Sequence, residues 1–416
     1  VHPAERPLLT PRFVVLVVGG LAYFAALGVL APTLPKFVED ELGGTELAVG
    51  VAAGAFGLSA AILRPFVGTL GDRWGRRALA MGGSAIVAVS IAATVFATSV
   101  AAVIGLRLLT GLGEAAAFIG FAAAIQDLAP DGRRGEAASY FSVATYGGLA
   151  LGPILGEALV DSSWDAVWAA GAALGVLGAL LAATAPGAAE TRAAQAAVET
   201  MDRADELPAA SGRVLRVLHR GALRPGAVLM VNLIGYAGFV AFIALHAEDV
   251  GIGNSGTVFA VFAAMVVALR IVAARVPDRL GAITTSSIAT VLSATALTML
   301  AVWQTPAGVY TATAVYALGQ TFLFPALFAI AVESAHPADR SAAIGTFSMF
   351  FDLSVFVGGA ITGIAAALGG EPAAFATGAV LCLVALGLVR PLLGPLVRPR
   401  VPGDGGVVRP SVTSEA

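Results

Sequence analysis

Apolar runs long enough to cross a bilayer alternate with short polar breaks along almost the whole chain. A spanning helix needs about 20 predominantly apolar residues. Runs of that kind fall at 13–35, 47–71, 78–98, 101–127, 137–160, 165–186, 225–246, 255–276, 282–303, 306–334, 341–367 and 372–394. The pattern predicts an all-α membrane protein with twelve transmembrane helices. They divide evenly about a polar stretch, so the expected organisation is one six-helix bundle over 1–186, a linker over 187–224, a second bundle over 225–394 and a disordered tail over 395–416. Within the linker, Arg213, Arg216 and Arg220 alternate with Val214, Leu215, Val217 and Leu218. That is the pattern of a short amphipathic helix lying on a membrane surface.

One break is far more charged than the others: Arg64-Pro-Phe-Val-Gly68-Thr-Leu-Gly71-Asp72-Arg73-Trp-Gly75-Arg76-Arg77. It reads as a helix ending in a tight Gly-containing turn, with the next helix starting at Ala78. A weaker copy, Arg270 followed by Asp278-Arg279-Leu-Gly281, lies 206 positions on. The same offset places Gly113-Glu114 on Gly319-Gln320, Asp127 on Glu333, Phe141-Ser142 on Phe347-Ser348 and Gly152 on Gly358. Spans two to five thus repeat as eight to eleven in the same direction. The halves are expected to be related by an axis along the membrane normal, with a site between them near the midplane.

Composition removes other classes. Charged residues make up 12% of the 416, against about 25% in soluble domains. A net charge of −3 gives no basic surface for nucleic acid. Cys382 is the single cysteine and the four histidines are scattered, so no metal site or cofactor is expected. No Gly-Lys-Ser/Thr phosphate loop and no His-Glu-x-x-His is present, which argues against an enzyme or an ATP-driven pump. The first run is long enough to span and no clear cleavage site follows it, so it is expected to be retained. Basic residues set the orientation. With both termini in the cytoplasm, 20 of the 24 Lys and Arg fall on that side, and the external loops hold only Lys36. Arg64, Arg107 and Arg270 fall inside helices. The dominance of Arg over Lys reads as a high-GC bacterial coding bias, which points to a bacterial inner membrane.

The stretch from Gly68 to Arg77 resembles the motif between the second and third helices of the major facilitator superfamily, G-x-L-a-D-r-x-G-r-[rk], at every strong position. Arg107-Leu-Leu-Thr-Gly111-Leu-Gly113-Glu114 resembles that family's fourth-helix motif. Gly148-Leu-Ala-Leu-Gly152-Pro153-Ile-Leu-Gly156 resembles the fifth-helix motif associated with drug/proton antiporter-type exporters, with Glu157 where many members have Gly. The resemblance covers nearly the whole chain. It implies two pseudo-symmetric six-helix bundles and secondary transport by alternating access. It also implies that Gly68, Asp72, Arg73, Gly75, Arg76 and Arg77 form a cytoplasmic latch between the halves, with Asp72 facing the start of helix eleven near Arg340.

The residues themselves suggest the chemistry. Asp127 closes helix four and is a natural partner for Arg76. Arg64 lies about 12 Å from the cytoplasmic end of its helix and Asp352 about 16 Å into helix eleven, so an Arg64–Asp352 pair across the halves is expected; a snorkelling Arg64 is the alternative. Tyr146 stands opposite Arg270 in the repeat and brings no charge. Arg107 and Glu114 are seven apart on one face and read as a proton-coupling pair or as a buried polar stripe. Gly148, Gly152 and Gly156 form a packing face, and Pro153 adds a kink. Tyr23, Tyr146, Asn232, Tyr236, Phe239, Tyr316, Gln320 and Phe324 are the candidate walls of a mostly apolar cavity. The expected function is proton-coupled efflux of small amphiphilic compounds by a monomer, its partners being the substrate, protons and the lipid bilayer. A proton-coupled importer of a sugar or organic acid, or a non-transporting receptor or scaffold, are the alternatives.

Overall fold

The computed structural model describes residues 7–130, 133–190, 218–273, 279–334 and 340–396, with the side chains of 65, 68–73, 134–135, 271 and 340–342 outside the description. The helices are α1 (Pro11–Lys36, prolonged by a π-helical turn Phe37–Glu41), α2 (Glu46–Ala93), α3 (Val100–Asp127), α4 (Arg134–Val160), α5 (Trp164–Leu181), α6 (Arg220–Asp249), α7 (Gly256–Val272), α8 (Ala282–Val302), α9 (Pro306–Glu333) and α10 (Arg340–Leu393). No strand occurs among the described residues. Helices are what a bilayer permits, because each backbone N–H and C=O is satisfied within its own segment. Ser or Thr opens five of them: the side chains of Thr10, Thr45, Ser99, Ser163 and Thr305 each accept a backbone N–H of the first turn. Each such cap is worth about 1 kcal/mol.

Ten segments among the described residues are long and apolar enough to cross a membrane, including Glu46–Arg64 within α2 and Trp74–Phe96, which runs just past the end of α2. The helix α10, at 54 residues, breaks at Gly369 and Gly370 where the pattern puts a boundary between two spans. The apolar stretch of α7 is short, Gly256–Arg270. Helix α6 begins at Arg220, ahead of the expected start at 225, and carries Pro225 inside it. The amphipathic pattern at 211–217 and the tail from 397 lie outside the described residues.

The charged stretch differs from expectation. It is not a multi-residue turn, since α2 stays helical through 65–74 and breaks at Gly75 alone, with φ 84°. One residue of left-handed φ suffices to redirect the chain, and only Gly takes it without penalty. A Cβ there would also stand 2.5 Å from Ala188 N. The repeat mate Gly281 has φ 78° and opens α8, so the 206-residue repeat is written in the backbone as well. Arg77 is tied to the segment that follows α5, its N–H to Pro186 O at 3.0 Å and its Nε to Ala185 O at 3.0 Å. Beside it Arg12 donates to both carboxylate oxygens of Glu190, at 3.1 and 2.9 Å. Those bonds, with one from Gly187 N–H, hold Glu190 down at about 2, so this clasp stays ionised through the physiological range.

Close packing follows the glycines. Gly148, Gly152 and Gly156 of α4 lie against the backbone of α1 at Leu21, Ala25, Gly28 and Val29. Gly83 of α2 and Gly113 of α3 face each other in the same way. Small residues let backbones approach where lipid supplies no hydrophobic drive. The helix α4 stays helical through Pro153.

Candidate functional site

The two halves, α1–α5 and α6–α10, meet most closely along the first arm of α2 and the first arm of α10. Gly50, Gly54 and Gly57 lie directly on the carbonyls of Gly359, Val355 and Asp352, so that a Cβ at any of them would collide with backbone. This contact carries Asp352 to Arg64, two turns further along α2. Arg64 Nε donates to Asp352 Oδ2, and Nη2 donates to Asp352 Oδ1 at 2.8 Å. The same Nη2 reaches Glu114 Oε1 and Oε2 of α3 at 3.2 and 3.1 Å. The guanidinium lies 5.0 Å from the centroid of the Phe118 ring, one turn beyond Glu114. Arg64 and Glu114 are 7% exposed and Asp352 is 1% exposed. One cation therefore sits between two carboxylates, sealed from water, with one acid on its own half and one on the other.

Arg107 does not join this cluster. Its Nε and Nη2 donate to the carbonyls of Ala52 and Ala53, at 3.4 and 3.1 Å, and it lies 4.5 Å from the Phe56 ring centroid. The expected coupling pair is thus split: Glu114 turns to Arg64 and Arg107 to the α2 backbone. Two helical turns place the two residues on one face but about 10 Å apart along the axis, too far to touch.

Arg270 of α7 meets the position expected from the repeat. Its Nη2 donates to Tyr146 OH at 3.0 Å and its Nη1 to Ser142 Oγ at 3.5 Å, both on α4, and its guanidinium lies 4.8 Å from the Tyr146 ring centroid. In the second half, Gln320 Nε2 donates to Ser293 Oγ at 3.2 Å and to Asn232 Oδ1 at 3.4 Å, and Asn232 Nδ2 donates to Thr290 Oγ1. Glu114's repeat mate therefore belongs to a neutral amide and hydroxyl network. The expected wall residues fall into separate aromatic groups. Tyr23 is buried against Phe24 and Phe121. Tyr316 packs with Phe239 and Phe262, and Tyr236 with Phe262. Phe324 stacks on Phe328 and meets Phe347 and Phe351 edge-on. A groove of about 460 Å³ lies elsewhere, between α2 and α5 around Met81, Ala88, Val176 and Leu180.

At the end of the bundle holding the charged stretch, Arg76 Nε donates to Asp127 Oδ2 at 3.3 Å. The side chains of Gly68, Asp72, Arg73 and Arg340 are outside the description, so the expected contact of Asp72 with the start of helix eleven falls there too. Because the Arg76–Asp127 pair is partly exposed, Asp127→Asn is expected to change stability by less than about 1 kcal/mol. Thermal unfolding in detergent checks this, and a larger loss would mean that the pair is coupled to more of the fold.

At the opposite end the structure corrects one expectation and adds a site. Lys36 is not in an external loop. It is the last residue of α1, 3% exposed. Its Nζ donates to Glu157 Oε2 of α4 at 2.8 Å and lies 2.5 Å from Glu248 Oε1 of α6, which belongs to the other half. Glu157, the departure from the fifth-helix motif, is the buried partner. A carboxylate inside an apolar run was the signal available in the sequence.

A family profile described as Major Facilitator Superfamily matches residues 16–283 and again 226–413. An uncharacterized MFS-type transporter of Salmonella typhimurium (strain LT2) is 28% identical over 382 residues, covering 89% of this chain and 93% of the relative. A second such relative, from Burkholderia mallei (strain SAVP1), is 28% identical over 379 residues and covers 88% of each chain. The crystal structure of the human organic anion transporter MFSD10 (TETRAN) aligns with a TM-score of 0.66 at 19% identity, over 91% of this chain and 100% of that one.

Proposed function

The chain belongs to the Major Facilitator Superfamily, and on that premise we propose that it is a proton-coupled transporter that exports small amphiphilic compounds by alternating access, working as a monomer. The distribution of basic residues supports placing the Arg76 end and both termini in the cytoplasm. The observation that carries the coupling is the Arg64–Glu114–Asp352 cluster. With both acids ionised it holds one excess negative charge at a depth where charge is costly. It is neutral when one carboxyl keeps a proton. Arg64 and Glu114 travel with the first half, and Asp352 travels with the second. When the halves part and water enters, Asp352 leaves Arg64, and Glu114, then that cation's one acid, can release its proton to that side. Closure then requires the proton, or a second positive charge, to be restored. The neutral network at Gln320 supports leaving the ion to the first half.

Everted membrane vesicles test the reading. A pH gradient is imposed and a panel of amphiphilic compounds is added while internal pH is followed; exchange appears as proton release that depends on the compound. Asp352→Asn leaves one cation with one acid, a cluster that is balanced without a proton. It is expected to keep downhill movement of the compound while gradient-driven accumulation falls at least tenfold. Undiminished gradient-driven accumulation in both Asp352→Asn and Glu114→Gln would sink the proposal. One feature favours a second reading, import by symport: Glu157 interrupts the run associated with exporters and is engaged by Lys36. In the same vesicles symport appears as proton and compound moving together, and silence across the panel leaves the non-transporting scaffold.

A further inference from the structure

We propose that Arg270, with Tyr146, is the anchoring point for a single carboxylate on an otherwise apolar substrate, so that the cargo is an amphiphilic monoanion; this rests on the transport reading above. Arg270 is the repeat mate of Arg64, and Tyr146 is the repeat mate of Asp352. In the first pair the Nε–Nη2 edge of the guanidinium holds both oxygens of a carboxylate. In the second pair the same edge is only half used: Nη2 meets the Tyr146 hydroxyl, and Nε is buried with no partner. No carboxylate lies within ion-pair distance of Arg270 among the described residues. A guanidinium fork matches a carboxylate bidentately, and a cation kept inside a membrane protein without a counter-charge is a place for one to arrive.

The position suits a substrate. Arg270 bridges α7 to α4, one helix from each half, so a group bound there lies between the moving parts. The aromatic set of Tyr236, Phe262 and Tyr316 begins about 12 Å away along α7 by helical rise. That separation fits a molecule with one anionic head and an apolar body. The charge arithmetic fits too. The first pair is a cation with a built-in acid, and the second is a cation whose acid is supplied from outside. A carboxylate entering at Arg270 displaces only a hydroxyl contact.

The test uses the full-length protein in detergent and in vesicles. Benzoate, 4-phenylbutyrate and decanoate are each compared with their primary amides by shift of the unfolding temperature and by competition for uptake. The wild-type protein is expected to bind at least one acid about tenfold or more tightly than its amide, the discrimination a charge-assisted pair supplies. Arg270→Gln is expected to erase that preference, and Arg270→Lys to recover part of it. Tyr146→Asp, which puts in the carboxylate that the repeat lacks, is expected to erase it as well while the protein remains folded. Equal response of the wild type to acids and amides, including no response to either, overturns the proposal, as does an acid preference that survives Arg270→Gln. Uptake that keeps its acid preference without any proton movement would instead sink the coupling reading and leave this one standing.

Discussion

Arg64→Met is expected to abolish gradient-driven transport and to lower stability by about 3–5 kcal/mol, the range for removing one partner from a buried charge network. Arg64 is 7% exposed and, among the described residues, is the one cation bonded to Asp352 and Glu114. Its loss leaves two acids facing each other in a dry site, and Phe118 without the ion on its face. Arg64→Met combined with Glu114→Gln and Asp352→Asn removes every charge together, and neutral replacement of a whole network is close to energetically neutral. The triple variant should therefore regain most of the folding and none of the coupling. Chemical denaturation in detergent reads the first effect and vesicle transport reads the second. A loss of under about 1 kcal/mol in the single variant would mean that the site is wet and that the charge argument fails.

Gly50→Leu carries the second large effect. Gly50 lies on the carbonyl of Gly359 across the halves, backbone to backbone. A leucine there cannot be absorbed by moving a side chain, and overpacking of this kind costs about 1–3 kcal/mol even within one core. Here it falls on a seam that has to open, so the strain is relieved by keeping the seam apart. The expected result is a folded protein whose Lys36 end no longer closes. Transport should fall more than tenfold, and spin-label distances across that end should shift to the longer population. Gly105→Leu is the control, because nothing lies within 4 Å of a Cβ at that position. Loss of transport in the control as well would point to membrane insertion instead of closure.

Much of the fold is legible in the pattern because bilayer-spanning helices announce themselves by length and polarity. The breaks are less legible. Gly68, Gly71 and Gly75 look alike in sequence, yet only Gly75 takes positive φ, since a single left-handed residue already redirects the chain. In the site, Arg64 with Asp352, Arg76 with Asp127 and Arg270 with Tyr146 follow from depth and from the repeat. Those two readings give height along the membrane normal. They do not give azimuth, which decides that the neighbour beside Arg107 is α2, with the carbonyls of Ala52 and Ala53. Lys36 fails for the same reason: its place at the end of an apolar run says loop, and its burial depends on two acids from helices far away in the sequence.

Lys36 is also the chain's single lysine. Its amine is shut between Glu157 and Glu248, one acid from each half. A membrane-impermeant amine reagent therefore has one side chain to find, and it reaches that side chain only when this seam parts. The native sequence thus carries its own chemical reporter of opening, with no label engineered into it.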